Sequence, residues 1–95
     1  MKIAVKIGAA WCGPCKVLEH KLGSLGDVLD TFELRTVDID TLEGKEMQGK
    51  YNIRSIPTLV VIDKISGTLY DTLLPKANGH SIKELKEFFT KNFET

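Results

Sequence analysis

Two cysteines, and no others, stand at Cys12 and Cys15, where one kind of hydrophobic spacing gives way to another. Before them, Ile3, Val5 and Ile7 alternate with Lys2, Ala4 and Lys6, which is the period of a strand over residues 2–7. After them, Val17, Leu18, Leu22, Leu25 and Leu29 recur at helical spacing from about Pro14. Gly8-Ala9-Ala10 reads as the loop between the two. The first sulfur therefore falls at a helix N-terminus, where unpaired N–H groups and the positive dipole end favour a thiolate, the form that attacks disulfides. Gly13 is expected to allow the turn, and Pro14 suits an early helical position because its missing N–H has no intrahelical partner. Cys15 lies one turn inside, expected to be less exposed than Cys12. This spacing suits a redox pair in which the outer sulfur attacks and the inner one resolves.

Composition narrows the alternatives. The 95 residues make one small domain, 1–95, large enough to bury roughly 60 to 70% of the surface of its unfolded chain. Thirteen Lys and Arg balance thirteen Asp and Glu, so no broad basic surface for nucleic acid or anionic lipid is indicated. The run after Met1 is too short and too interrupted by lysine for a signal-peptide core or membrane span, which points to the cytoplasm. In a reducing compartment two cysteines are catalytic or metal-binding more often than a structural staple. Zinc usually takes four ligands, and His20 and His80 form no second cluster, so no metal is expected. Both histidines read as solvated surface groups. An inert buried pair stays open as the alternative.

Further along, Gly23 and Gly26 predict a bend or helix end in the middle twenties. Phe32 to Asp38 alternates as a second strand. Asp40, three residues before Glu43, suggests a capping box for a helix over about 42–50 that Gly44 and Gly49 weaken. Residues 51–57 read as a loop. Thr58 to Ile62 is a β-branched run covered on both faces, and Asp63-Lys64-Ile65-Ser66-Gly67 turns it into an antiparallel partner over Thr68 to Leu74. After a loop through His80, Ser81 and Glu84 form a capping box for a last helix with Ile82, Leu85, Phe88 and Phe89 on one side. The order is βαβαββα, an α/β fold with one right-handed crossover between parallel strands, and its site is expected beyond the strands' carboxyl ends.

Trp11-Cys12-Gly13-Pro14-Cys15-Lys16, followed at the expected separation by Ile56-Pro57-Thr58, resembles the thioredoxin family over nearly the whole chain. The resemblance implies a minimal thioredoxin fold: a four-stranded mixed sheet flanked by helices, without the family's usual first strand and helix. It makes Cys12 the attacking and Cys15 the resolving sulfur, with Trp11, Gly13, Pro14 and Lys16 as their support. It further implies a cis bond at Ile56-Pro57, whose backbone would pair with an extended substrate segment. Trp11 would be an exposed lid that touches substrate, and Gly79 would let a partner approach, although a simple turn glycine reads equally well.

One position departs from the family. Thioredoxins generally carry a buried aspartate six residues before the attacking cysteine and a tryptophan two positions later, whereas this chain has Lys6 and Gly8. Two readings follow. Lys6 could lie beneath Cys15 and favour its thiolate, making the disulfide more oxidising. Alternatively it snorkels to solvent through a space left by Gly8, and water or Glu19 handles the proton; the cost of burying an ammonium favours this second reading.

The expected activity is reduction of protein disulfides by dithiol exchange, with no bound cofactor, in a monomer recycled by a thioredoxin-reductase-type donor. Among the targets the resemblance implies are ribonucleotide reductase and peroxide-removing enzymes. A glutathione-dependent, glutaredoxin-like reductase and a redox-indifferent binding subunit are the rivals.

Overall fold

The computed structural model describes residues 1–30, 32–73 and 79–93. Strand β1 (Lys2–Gly8) lies inside the sheet, parallel to β2 (Leu34–Asp38) and antiparallel to β3 (Thr58–Asp63). Strand β4 (Leu69–Leu73) pairs antiparallel with β3, which gives the order β2-β1-β3-β4. Among the described residues four helices connect or flank the strands: α1 (Gly13–Gly23), the single turn α2 (Asp27–Asp30), α3 (Leu42–Lys50) and α4 (Ile82–Phe93). The architecture is the expected four-stranded mixed α/β sheet, with α2 as one added turn.

The alternation in β1 sorts residues between two apolar layers. Ile3, Val5 and Ile7 join Val37, Ile53, Val60 and Ile62 on the face that also takes Met47 of α3. Ala4 joins Leu18 and Leu22 of α1, Leu59 and Val61 of β3, and Leu85, Phe88 and Phe89 of α4 on the other. Both faces are covered, so Ile3 through Gly8 are all buried. A residue two positions on from Ala4 or Lys6 points to the same face, which directs Lys6 and Gly8 towards α1.

Several sequence expectations shift on contact with the structure. Val17 and Ile82 keep the helical spacing of their neighbours but are 47% and 39% exposed, because the sheet covers a narrower stripe of each helix than the apolar pattern does. β2 starts at Leu34, and Phe32 and Leu34 pack against the α1/α4 layer. The helix end expected in the middle twenties is met, as α1 stops at Gly23 and Gly26 (φ 60°) turns the chain into α2. The side chain of Leu29, the Leu74 end of the predicted fourth strand and the loop at 75–78 lie outside the described residues.

The α3 cap also differs. Thr41, not Asp40, is the N-cap: its hydroxyl oxygen accepts from Gly44 N at 3.0 Å while donating to Asp38 O. Gly44 does not merely weaken the helix, since a Cβ there would overlap the Asp38 carbonyl. At the other end Ile53 N donates to Gln48 O across Asn52, which takes the left-handed conformation (φ 53°) that ends many helices. The α4 capping box forms as expected, with Glu84 N donating to Ser81 Oγ at 3.1 Å and Ser81 N to Glu84 Oε1 at 2.9 Å.

Candidate active site

The carboxyl ends of β1 and β2 lie side by side, Gly8 opposite Asp38, and the cysteine turn sits just beyond them. Cys12 is the N-cap of α1 in an extended conformation (φ −87°, ψ 109°). Its Sγ accepts from Cys15 N at 3.1 Å and is bonded to Cys15 Sγ as a disulfide. A cysteine sulfur thus occupies the place a Ser or Asp oxygen usually takes, facing the free N–H groups of the first turn. No acidic residue stands in that turn to oppose a thiolate.

Burial corrects one expectation. Cys12 is 4% exposed and Cys15 6%, so the first sulfur is not the more exposed of the two. The cause is local: both sulfurs turn inward to each other across the first turn. Gly13 is also plainer than expected. It lies within α1, is absent from the left-handed residues, and a Cβ there would meet nothing within 4 Å. Pro14 takes the early helical position predicted for it, and Lys16 is exposed.

Beneath the pair, Gly8 makes room for sulfur and not for Lys6. A Cβ at Gly8 would come within 2.8 Å of Cys15 Sγ, so the missing side chain is what lets α1 bring its inner cysteine down onto β1. Lys6 does not reach solvent. Its side chain is 7% exposed, and its Nζ meets Glu19 Oε1 at 2.7 Å. The Lys6 contact lowers the Glu19 carboxyl below its usual range, first by hydrogen bond and then by charge, with a smaller contribution from Lys16. Lys6, Gly8, Cys15, Glu19 and Asp38 line a cavity of about 170 Å³.

Two carboxylates reach the site that the sequence places elsewhere, Asp38 as the end of the second strand and Asp40 as a helix cap. Asp38 accepts from Ala10 N at 3.2 Å and Asp40 N at 2.8 Å, which ties the cysteine loop to the next strand. Asp40 accepts from Trp11 Nε1 at 2.8 Å, and Trp11 is 68% exposed. The signal available was position alone, since both follow a strand whose carboxyl end faces the site. The Ile56–Pro57 bond is cis. Thr58 pairs with Ile7, so the antiparallel register carries the buried Pro57 next in line beside Gly8. Gly79 is exposed and open, and among the described contacts none joins it to the cysteines. Its neighbour His80 accepts from Lys21 Nζ at the far end of α1. Among the described residues no group of three or more His, Cys, Asp or Glu could hold a metal ion.

The thioredoxin family model matches residues 1–88. The chain belongs to the thioredoxin family. It is 44% identical over 77 residues to thioredoxin of Bacillus subtilis (strain 168), an alignment covering 81% of this chain and 71% of that one. It is 31% identical over 72 residues to a chloroplastic M-type thioredoxin of Brassica napus, where the match covers 76% of this chain but 39% of the relative's length. The solved thioredoxin of Fasciola hepatica superposes with a TM-score of 0.71 at 30% identity, over 95% of this chain and 79% of that one. Family membership and a disulfide between Cys12 and Cys15 make the chain a thiol–disulfide oxidoreductase. As a thioredoxin, it carries a buried ammonium, Lys6, on the strand beneath the cysteine pair. No helix among the described residues is long and apolar enough to cross a membrane.

Proposed function

We propose that this thioredoxin reduces the disulfides of target proteins, residues 1–95 acting as one unit. In the reduced form the Cys12 thiolate attacks a target disulfide, forming a Cys12–target bond and releasing one target sulfur as a thiolate that takes up a proton. Cys15 then loses its proton and attacks Cys12 Sγ; the Cys12–target bond breaks, the second target thiol leaves, and the Cys12–Cys15 disulfide remains. Two electrons have passed to the target. The observation carrying this reading is Cys12 at the head of α1, its sulfur accepting a backbone N–H with no carboxylate in the first turn. Such a site stabilises negative charge on sulfur.

The remaining roles follow from the family resemblance and the positions described above. Trp11 and the Ile56-Pro57 backbone flank the cysteines and receive an extended segment of the target, and Gly79 leaves open space for it. Gly13, Pro14 and Lys16 shape the first turn. A thioredoxin-reductase-type enzyme resupplies the electrons, and the chain works as a monomer in the cytoplasm, where a disulfide is recycled and not kept as a staple.

Insulin-disulfide reduction tests this with either a thioredoxin reductase or glutathione as electron source. The expected result is turnover with the reductase, abolished in Cys12→Ser, and a trapped mixed disulfide in Cys15→Ser. Turnover with glutathione alone would move the chain to the glutaredoxin type. Failure with both donors, and with a small dithiol, would leave a binding subunit.

A further inference from the structure

A buried ammonium is costly unless paired, and pairing it below a redox disulfide is a choice with electrical consequences. Lys6 and Gly8 share one face of β1, and Cys15 and Glu19 stand one turn apart on α1, so they share a side of that helix. The two faces close on each other at both places: Cys15 Sγ over Gly8 and Glu19 Oε1 on Lys6 Nζ. Lys6, Gly8, Cys15 and Glu19 all line the one small cavity at this place.

We propose that Lys6 and Glu19 form a positioning pair that sets the proton affinity of the Cys15 thiol, and through it how oxidising the disulfide is. The Lys6 ammonium favours the Cys15 thiolate, while Glu19 holds the ammonium in place and cancels part of its field. This deepens the function proposed above and rests on it. Other charges face the same space. Lys16 lies on α1 near Glu19, and Asp38 stands at the end of β2, its two oxygens engaged by the Ala10 and Asp40 N–H groups. Asp38 opposes the thiolate, so Lys6 is the cation lining the cavity that offsets it. Because Lys6 holds the Glu19 carboxyl below its usual range, Glu19 keeps its negative charge wherever thiols titrate.

The sign follows from the half-reaction. Reduction breaks the Cys12–Cys15 bond, adds two electrons and leaves thiols or thiolates; whatever stabilises a thiolate stabilises the reduced side and makes the disulfide the stronger oxidant. Lys6→Met keeps an unbranched chain in the buried position and leaves Glu19, which is 58% exposed, to water. Glu19→Gln removes the negative charge at an exposed site and keeps an oxygen for the ammonium. The two therefore act in opposite directions.

The test is equilibration of each protein against a glutathione or dithiothreitol redox buffer, with titration of both cysteines by NMR of the reduced form. Lys6→Met is expected to raise the Cys15 thiol pKa and shift the redox equilibrium about tenfold towards the disulfide form, about 30 mV for a two-electron couple. Glu19→Gln is expected to lower that pKa and shift the equilibrium the other way. Shifts of the same sign in both variants, or no shift in either while the thermal midpoint is kept, overturn the proposal. If Lys6→Met fails to fold, the Glu19→Gln result alone decides by its sign. A wild-type protein unable to exchange with the buffer at all would instead sink the proposed function.

Discussion

At the residue scale, single side chains are worth what their geometry lets them reach. Asp63 closes β3 and holds the turn that follows: its Oδ1 accepts from Ile65 N at 2.8 Å and Ser66 N at 2.9 Å, and its Oδ2 meets the N-terminal ammonium. The Ser66 and Ile65 N–H groups, in that order, bring its carboxyl down to about 2. A folded-state value below the unfolded one means stability that is present above the ordinary carboxylate range and lost as pH falls through it towards about 2. Asp63→Asn keeps an oxygen for the turn but no charge. Its thermal midpoint is expected to lie below wild type at pH 7 and to converge with it between pH about 4 and about 2. Turn chemistry of this kind was legible because donor and acceptor lie within three residues. Gly8 was not: its purpose depends on a sulfur that only the packing of α1 brings overhead.

At the element scale, α3 shows how the same substitution changes sign within one helix. Both Gly44 and Gly49 read in sequence as weak points, and by propensity each Gly→Ala gains about 0.5–1 kcal/mol. Gly49→Ala is expected to gain that amount, since a Cβ there meets nothing within 4 Å. Gly44→Ala is expected to lose about 1–3 kcal/mol, because it drives the first turn of α3 off the Asp38 carbonyl. Urea denaturation of the two variants measures both. Capping divides the same way. The Ser81–Glu84 box could be read because its partners belong to one turn, whereas Asp40 could not, because the Trp11 indole 29 residues away engages its carboxylate and Thr41 takes the cap.

On the scale of the whole molecule, β1 and β3 divide the interior into two layers, and α4 closes one of them. Phe89 is fully buried there, in edge contact with Phe32 and Phe88, each ring 5.6 Å away. Phe89→Ala is expected to cost about 3–5 kcal/mol, a large part of the roughly 5–15 kcal/mol that holds a domain folded. The readout is a lower urea midpoint at unchanged slope.

The amino-acid order by itself determined the strand and helix succession, the cysteine turn at the head of α1 and the family, because alternation, helical spacing, caps and motifs are properties of neighbours along the chain. Only tertiary structure decided that Val17 and Ile82 face water, that both cysteines are buried, that Trp11 leans on Asp40 and that Lys6 pairs with Glu19. Those outcomes depend on which faces of distant elements meet, and a buried charge finds its partner only when they do.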